Sequence, residues 1–281
     1  MDFECMKQVV EDRHSVRVFA NQQLPEGVLE TILGYSLRCP TSMNTQPFKM
    51  IVVRDSEQKE NLAACMDSGN DTTVRTSAAT VVVCADQDPV QSVTDFGKYV
   101  FESDVSPKIQ KMIRYAFMIY YKYTFLSFLF GWILDAFFAL GRLFRPTPSR
   151  ITTQAWSYQQ ASFLIQDMVL LAQSKGVSSL IMEGFNEQKV RDCVKLPKRY
   201  QIASIISFGY EPKNAKVKPS ARFDFDKVMY DGDWEKSFFS TQMTENCSER
   251  ALGVGFCRDC GDDVLRLFPP HDVVNIPLLQ F

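Results

Sequence analysis

The sequence predicts a layered fold of the α/β or α+β class, in which helices cover a β-sheet. Two observations predict it: the chain contains about four apolar strand candidates, and long helix candidates lie between them. The composition agrees, because 46% hydrophobic and 23% charged residues over 281 positions are ordinary for a globular protein with a sizeable core. A formal net charge of −2 gives no reason to expect a nucleic-acid partner.

The first half of the chain supplies two helix candidates and two strand candidates. Residues 24–40, LPEGVLETILGYSLRCP, predict a helix with Pro25 in its first turn and one apolar face. The stretch FKMIVVRD predicts a short strand, and SEQKENLAACM (56–66) predicts a helix capped by Ser56. The run AATVVVCAD (78–86) is rich in β-branched residues, so we expect a central strand buried on both faces.

The second half repeats the alternation. The stretch YQQASFLIQDMVLLAQSKG (158–176) gives the clearest helical periodicity, and Gly176 is suited to end the helix. SSLIMEGF predicts a strand followed by a loop, NEQKVRDCVKLP predicts a capped helix, and QIASIISFGY predicts a further buried strand.

A bound phosphate would have to be held by side chains, since no glycine-rich fingerprint and no phosphate-loop lysine follows any strand candidate. A helix is predicted at the N-terminus, and its end offers four suitable residues: Arg13, His14, Ser15 and Arg17. Two guanidinium groups this close in sequence could both hydrogen-bond to one phosphate. The alternative is that both arginines are solvated or paired with Glu11 and Asp12.

Four stretches together resemble the nitroreductase family of flavoproteins. They are DRHSVRVF, CPTSMNTQPFKMIVV, IMEGFNEQKVRDCVKLP and IISFGYEP, and they follow the family's order near the family's spacings over roughly residues 5–230. The resemblance implies an α+β fold: a three-layer α-β-α sandwich with a central mixed, mainly antiparallel sheet in a domain-interlocked homodimer. It also implies FMN as cofactor and NAD(P)H as electron donor.

The resemblance assigns the site residues one by one. Arg13, His14, Ser15 and Arg17 correspond to the segment that binds the FMN phosphate and ribityl chain. Pro40, Thr41, Ser42, Asn44 and Gln46 correspond to a loop that packs on the flavin, largely from the other subunit. Glu183 and Gly184 would place backbone N–H groups against the flavin ring, and Arg222 would return to the phosphate, with Lys218 as a weaker candidate. Asn70 and Arg75 are alternatives for one further polar contact.

The activity that the resemblance implies is transfer of a hydride from NAD(P)H to FMN and then reduction of a small nitroaromatic, quinone or similar electrophile. The flavin carries this chemistry, so no catalytic side chain is expected, and His14 is interpreted as a hydrogen-bonding residue. Two alternatives stay open. One is a dehalogenating or flavin-fragmenting relative, and the other is a non-catalytic or membrane-associated flavin-binding protein of the same fold.

Two segments depart from the family pattern. Within an insertion at about 115–148, residues 125–141 are apolar on every side of a helix, which favours a hydrophobic lid over the site and leaves membrane contact as the alternative. The flavin-binding domain is predicted to span 1–232, and the tail 233–281, with Cys247, Cys257 and Cys260, matches nothing and is expected to be loosely ordered. The N-terminus lacks a secretory pattern, so we expect a cytoplasmic protein, with membrane association through 125–141 as the alternative. The tail cysteines supply only half of a zinc-binding pattern, so no metal site is expected.

Overall fold

The computed structural model describes residues 3–88, 111, 133, 136, 139–141, 143–144, 151–215, 221–223 and 227–236. The chain divides into two compact units, Met1–Val217 and Lys218–Phe281. The predicted domain boundary at residue 232 therefore lies within the second unit. Most of the 125–141 segment and the tail cysteines lie outside the described residues.

The described part of the first unit alternates helices and strands, as the sequence predicts. The helices are α1 (Phe3–Asp12), α2 (Val28–Ser36), α3 (Ser56–Ala63), α4 (Asn70–Thr76), α5 (Thr153–Ser174) and α6 (Glu187–Cys193). The strands are β1 (Phe48–Val53), β2 (Ala79–Asp86), β3 (Ser178–Met182) and β4 (Tyr200–Gly209), and a short 3₁₀ turn spans Ser42–Asn44.

The four strands form one sheet in the order β1-β2-β4-β3. All three neighbouring pairs are antiparallel. A parallel bridge joins Ser15 to Ser179 at the outer edge of β3. Every residue of β2 is buried, which confirms the central strand predicted from its β-branched run.

Each face of the sheet is covered by its own helices, so the fold is a three-layer α+β sandwich, as predicted. On one face, α2 and α5 pack Ile32 and Leu164 against Val81 and Val83. On the other face, α3, α4 and α6 pack Leu62, Val74 and Val190 against Val82 and Cys84. Neighbouring residues of β2 point to opposite faces, and this alternation divides the core into two clusters.

Helix ends are where the sequence prediction needs correction. Helix α2 begins at Val28 rather than in the first turn after Pro25, because Gly27 adopts a left-handed conformation with φ 78°. The cap of α3 is Asp55, whose carboxylate accepts hydrogen bonds from the N–H groups of Glu57 and Gln58, and not Ser56. Both residue types are good caps, so composition alone could not choose between them.

Candidate functional site

The segment that carries Arg13 and Arg17 leaves α1 and runs along the sheet edge. The N–H of Val16 donates to the Ser179 carbonyl of β3 at 3.2 Å, and the N–H of Ala20 donates to the Tyr210 carbonyl at 2.8 Å. These bonds fix the segment where β3 begins and β4 ends. The phosphate-binding candidates therefore lie on a strand-like edge rather than on a freely moving loop.

Arg13 and Arg17 make no ion pair and no side-chain hydrogen bond within the described part of the chain. Neither Glu11 nor Asp12 forms an ion pair with them in the described part of the chain, and Oδ1 of Asp12 accepts a hydrogen bond from Gln8. Most other described arginines have acidic or carbonyl partners, as Arg199 does with Asp86. Two guanidinium groups thus remain available to an anionic ligand, and Ser15 between them is exposed.

His14 has a structural role in this segment. Its Nδ1 lies 2.8 Å from the Asp12 carbonyl oxygen, and its Nε2 lies 3.0 Å from Oε1 of Glu211, which follows β4. Burial acts to lower the pKa of His14, but the hydrogen bonds to Glu211 and Asp12 outweigh it, and the pKa is raised. Both ring nitrogens are engaged, so any contribution of His14 to a phosphate comes from its backbone.

The Glu183–Gly184 turn is anchored through the Gly184 carbonyl. That oxygen accepts the N–H of Asp67 at 3.1 Å and Nδ2 of Asn70 at 3.0 Å. A Cβ at position 184 would lie 2.9 Å from Asn70 Nδ2 and 2.9 Å from Asp67 Oδ2, so only glycine fits without displacement. The Gly184 N–H has no acceptor in the described part of the chain and is free to donate to a ligand.

The two alternatives for a further polar contact are separated by the structure. Asn70 lies at the start of α4 beside Gly184. Arg75, at the other end of the same helix, is paired with the carboxylates of Glu60 and Asp71. Asn70 is therefore the better placed of the two for a further polar contact, and its role beside a flavin stays a prediction.

The predicted loop Pro40–Gln46 is an unusually constrained turn. Asn44 and Gln46 have positive φ values of 53° and 45°, a conformation that costs energy for residues other than glycine. The Thr41 hydroxyl accepts the N–H of Gln46, and Oε1 of Gln160 in α5 accepts the N–H of Ser42 at 2.7 Å. An open cavity of about 390 Å³ lies beside this loop; its lining includes Pro40, Thr41, Ser42, Trp156, Gln160 and Phe163.

Within one chain this loop and the arginine segment lie at opposite corners of the sheet. Phe48, which follows the loop, pairs with β2 opposite Gln201, near the beginning of β4. Ser15 pairs with β3 opposite Phe208, near the end of β4. At about 3.3 Å per residue and about 4.8 Å per strand, the diagonal between Phe48 and Ser15 is roughly 30 Å. That distance exceeds the span of one flavin mononucleotide, so a single chain does not bring the two groups of residues together.

Arg222 lies in the second unit, where it is exposed and its Nη1 donates to the Ala221 carbonyl at 2.8 Å. Its place beside a phosphate stays a prediction, and Lys218 lies outside the described residues. Sequence patterns do not identify Asp67, Gln160 or Glu211 as supporting residues. Glu211 lies inside the motif IISFGYEP, but no local pattern points to Gln160, which meets Ser42 across 118 positions of the chain.

The buried cysteines are not suited to thiolate chemistry. Burial raises the pKa of the Cys84 thiol to about 12 and that of Cys39 to about 11. In the described ranges, no group of three or more His, Cys, Asp or Glu side chains could hold a metal ion. No described helix is both long enough and apolar enough to cross a bilayer.

Comparison with known proteins identifies the class of this fold and site. The model of the nitroreductase family matches residues 10–210. An NADH dehydrogenase of Thermus thermophilus is 27% identical over 217 residues, 77% of this chain and 91% of that protein. An oxygen-insensitive NADPH nitroreductase of Helicobacter acinonychis is 26% identical over 220 residues, 76% of this chain and 91% of that protein.

Solved structures agree on the fold. The nitroreductase family protein of Streptococcus pneumoniae has a TM-score of 0.62 at 20% identity, covering 80% of this chain and 98% of that one. A nitroreductase candidate of Exiguobacterium sibiricum, solved in complex with FMN, has a TM-score of 0.60 at 17% identity over 83% of this chain and 97% of that one. The chain belongs to the nitroreductase family, and hence to the NAD(P)H-dependent flavin oxidoreductases.

Proposed function

We propose that this chain binds FMN, accepts a hydride from NADH or NADPH, and reduces nitroaromatic, quinone or similar electrophilic acceptors by a ping-pong mechanism. The observation that carries the proposal is the pair Arg13 and Arg17, two guanidinium groups without a protein partner in the described residues. They lie on the segment that hydrogen-bonds to β3, the strand that ends beside Gly184. The two guanidinium groups suit the phosphate end of FMN, and the free N–H of Gly184 at the same edge of the sheet suits the flavin ring.

Each residue then has a defined task. Arg13 and Arg17 would hold the phosphate through charge-assisted hydrogen bonds, which are stronger than neutral ones. The Gly184 N–H would donate to the flavin ring, and a preorganised donor there stabilises negative charge that develops on reduction. FMN, when bound, supplies the hydride acceptance and the electron delivery, so the side chains orient the cofactor and the substrates.

We also propose that the functional unit is a homodimer in which the Pro40–Gln46 loop of one subunit meets the flavin of the other. The diagonal separation within one chain supports this arrangement, since the loop otherwise has no flavin to contact. Helix α1 presents an exposed apolar face at helical spacing, formed by Phe3, Met6 and Val10. A partner subunit would cover such a face.

The decisive experiment starts from the purified protein. A yellow preparation should show flavin absorbance, and released flavin should be FMN. Anaerobic addition of NADH or NADPH should bleach it, and quinones or nitroaromatics should restore the colour, with parallel-line initial-rate kinetics. A colourless protein that binds no added FMN would overturn the proposal. A yellow protein that neither nicotinamide reduces would favour the non-catalytic or membrane-associated alternative.

A further inference from the structure

Helix α4 is built from residues that are poor helix formers. Its sequence NDTTVRT contains three threonines in seven residues, and its N-cap Gly69 provides no side-chain hydrogen bond. β-Branched side chains lose rotamer freedom in a helix, so intrinsic propensity does not explain this sequence. Thr73 is nevertheless fully buried. The contacts that its hydroxyl makes outside the helix explain its presence.

The Thr73 hydroxyl makes its shorter hydrogen bond to the segment that carries Arg17. Its Oγ1 lies 2.6 Å from the Arg17 carbonyl oxygen and 3.3 Å from the carbonyl oxygen of Gly69, the N-cap of α4. A buried threonine in a helix usually donates to that preceding carbonyl. The much shorter distance to Arg17 shows that α4 holds the backbone of the arginine that is available to a phosphate.

The same face of α4 makes two neighbouring contacts. Asn70 lies one turn before Thr73 and donates to the Gly184 carbonyl at 3.0 Å. Thr76 lies one turn after it and accepts the N–H of Phe19 at 3.1 Å, while its hydroxyl proton goes to the Thr72 carbonyl at 2.9 Å. Positions three apart share a helix face. One helix therefore fixes both segments to which FMN binding is assigned.

We propose that Thr73 is a positioning residue for cofactor binding: its hydroxyl sets the backbone of Arg17, and α4 thereby fixes the spacing between the phosphate donors and the Gly184 N–H. This inference rests on the proposed function, because FMN is the ligand that spans the two segments. Removing the hydroxyl would leave the Arg17 carbonyl buried against a methyl group. The arginine would then sample orientations that miss the phosphate.

The test compares three variants of the full chain after removal of flavin. Thr73→Val is isosteric and lacks the hydroxyl, whereas Thr73→Ser keeps it. Thr80→Val is the matched control, because Thr80 is also fully buried and its hydroxyl bonds to Ser207 at 2.8 Å and to Ser77, the C-cap of α4, at 3.0 Å. The control thus loses buried hydroxyl bonds at the end of the same helix, but none of them reaches the segment that carries Arg17. FMN affinity is measured by quenching of flavin fluorescence, and stability by urea unfolding of the apoprotein.

We expect Thr73→Val to bind FMN about fivefold to tenfold more weakly, as loss of one buried hydrogen bond implies. Thr73→Ser should bind within about twofold of the parent. Thr80→Val should lose stability but keep the parent's affinity. Equal affinity in Thr73→Val and the parent, or an equal loss in Thr80→Val, overturns the inference while leaving the proposed function intact.

Two further results keep the outcomes separate. If Thr73→Val does not fold, amide hydrogen exchange is measured in Thr73→Ala instead. The amides of Val16–Phe19 should exchange faster than in the parent, and those of β2 should be unchanged. Equally faster exchange throughout the chain would contradict a local role for Thr73. If the parent itself binds no FMN, the proposed function fails, and the inference fails with it.

Discussion

Gly184 is the position where one added methyl group perturbs the candidate site most directly. In Gly184→Ala the new Cβ would lie 2.9 Å from Asn70 Nδ2 and 2.9 Å from Asp67 Oδ2. Carbon and polar atoms prefer separations of about 3.5 Å or more, so both side chains must move. Overpacking of this kind costs about 1–3 kcal/mol. Because both atoms are side-chain ends that can shift, we expect about 1–2 kcal/mol, mostly the lost Asn70 hydrogen bond.

The assay has two readouts and a matched control. Urea unfolding of the apoprotein gives the free energy of unfolding, and fluorescence titration gives the FMN affinity. Gly184→Ala should lower both, because displacement of the turn moves the Gly184 N–H. Gly34→Ala in α2 is the control, since nothing lies within 4 Å of its Cβ and its φ is not positive. It should gain about 0.5–1 kcal/mol of stability and leave FMN binding unchanged.

A double-mutant cycle identifies the cause. Asn70→Ala removes one of the two colliding atoms, so Gly184→Ala should cost at least about 0.5 kcal/mol less in that background. Additive losses, or a Gly184→Ala variant as stable as the parent, would refute the contact between the turn and α4.

Three other perturbations test the site and its surroundings. Arg17→Ala should weaken FMN binding roughly tenfold to a hundredfold in flavin titration, whereas Arg38→Ala, an exposed arginine outside the site, should not. Mixed dimers of Arg17→Ala and Gln46→Ala chains should regain up to about half the parent's specific activity, because one of the two shared sites is then intact; no recovery after subunit exchange would place the loop in its own chain's site. Replacing Phe128 and Trp132 by alanine should raise the KM for aromatic acceptors with flavin retained, as the lid interpretation predicts; detergent-reversible pelleting with membranes would contradict it.

Local patterns predicted the parts of the fold that local physics controls. The β-branched run of β2 needed both faces buried, and the apolar spacing of α5 placed Leu164 and Met168 in the core. Helix α4 was not predicted, because three threonines argue against a helix. It forms because its polar side chains find partners in distant segments.

In the candidate site, too, local patterns suggest some residues, while other contacts are visible only in the folded chain. Residue type and spacing made Arg13 and Arg17 candidates for a phosphate, but they left pairing with Glu11 and Asp12 open. The resemblance to the nitroreductase family assigned both residues to FMN, and that assignment stays a prediction. Whether the two arginines have acidic partners is visible only in three dimensions, as are the partners of Asn70 and Arg75. Hydrogen bonds such as Ser42 to Gln160 join residues far apart in sequence, and no short-range pattern encodes them.

The His14–Glu211 contact gives the arginine segment a pH dependence of known sign. The folded-state pKa of His14 is raised above its ordinary value of about 6.5. A raised pKa means that the folded state binds the proton more tightly, so the stabilisation is complete below the unfolded pKa and is lost as pH rises through the folded pKa. Both side chains are about three-quarters buried, and a partly exposed ion pair of this kind contributes about 1 kcal/mol or less.

The measurement is the free energy of unfolding of the apoprotein from pH 5.5 to 9, for the parent and for His14→Gln. Glutamine can still donate a hydrogen bond but cannot be protonated, and His271 is common to both proteins, so its titration cancels. The parent should be more stable at pH 5.5, and its advantage should shrink through the neutral range. FMN affinity should fall over the same range in the parent, because the bond from His14 to Glu211 holds the start of the segment that carries Arg17. An advantage that stays constant or grows with pH would mean that His14 is not charged in the folded protein and that its contact with Glu211 is a neutral hydrogen bond.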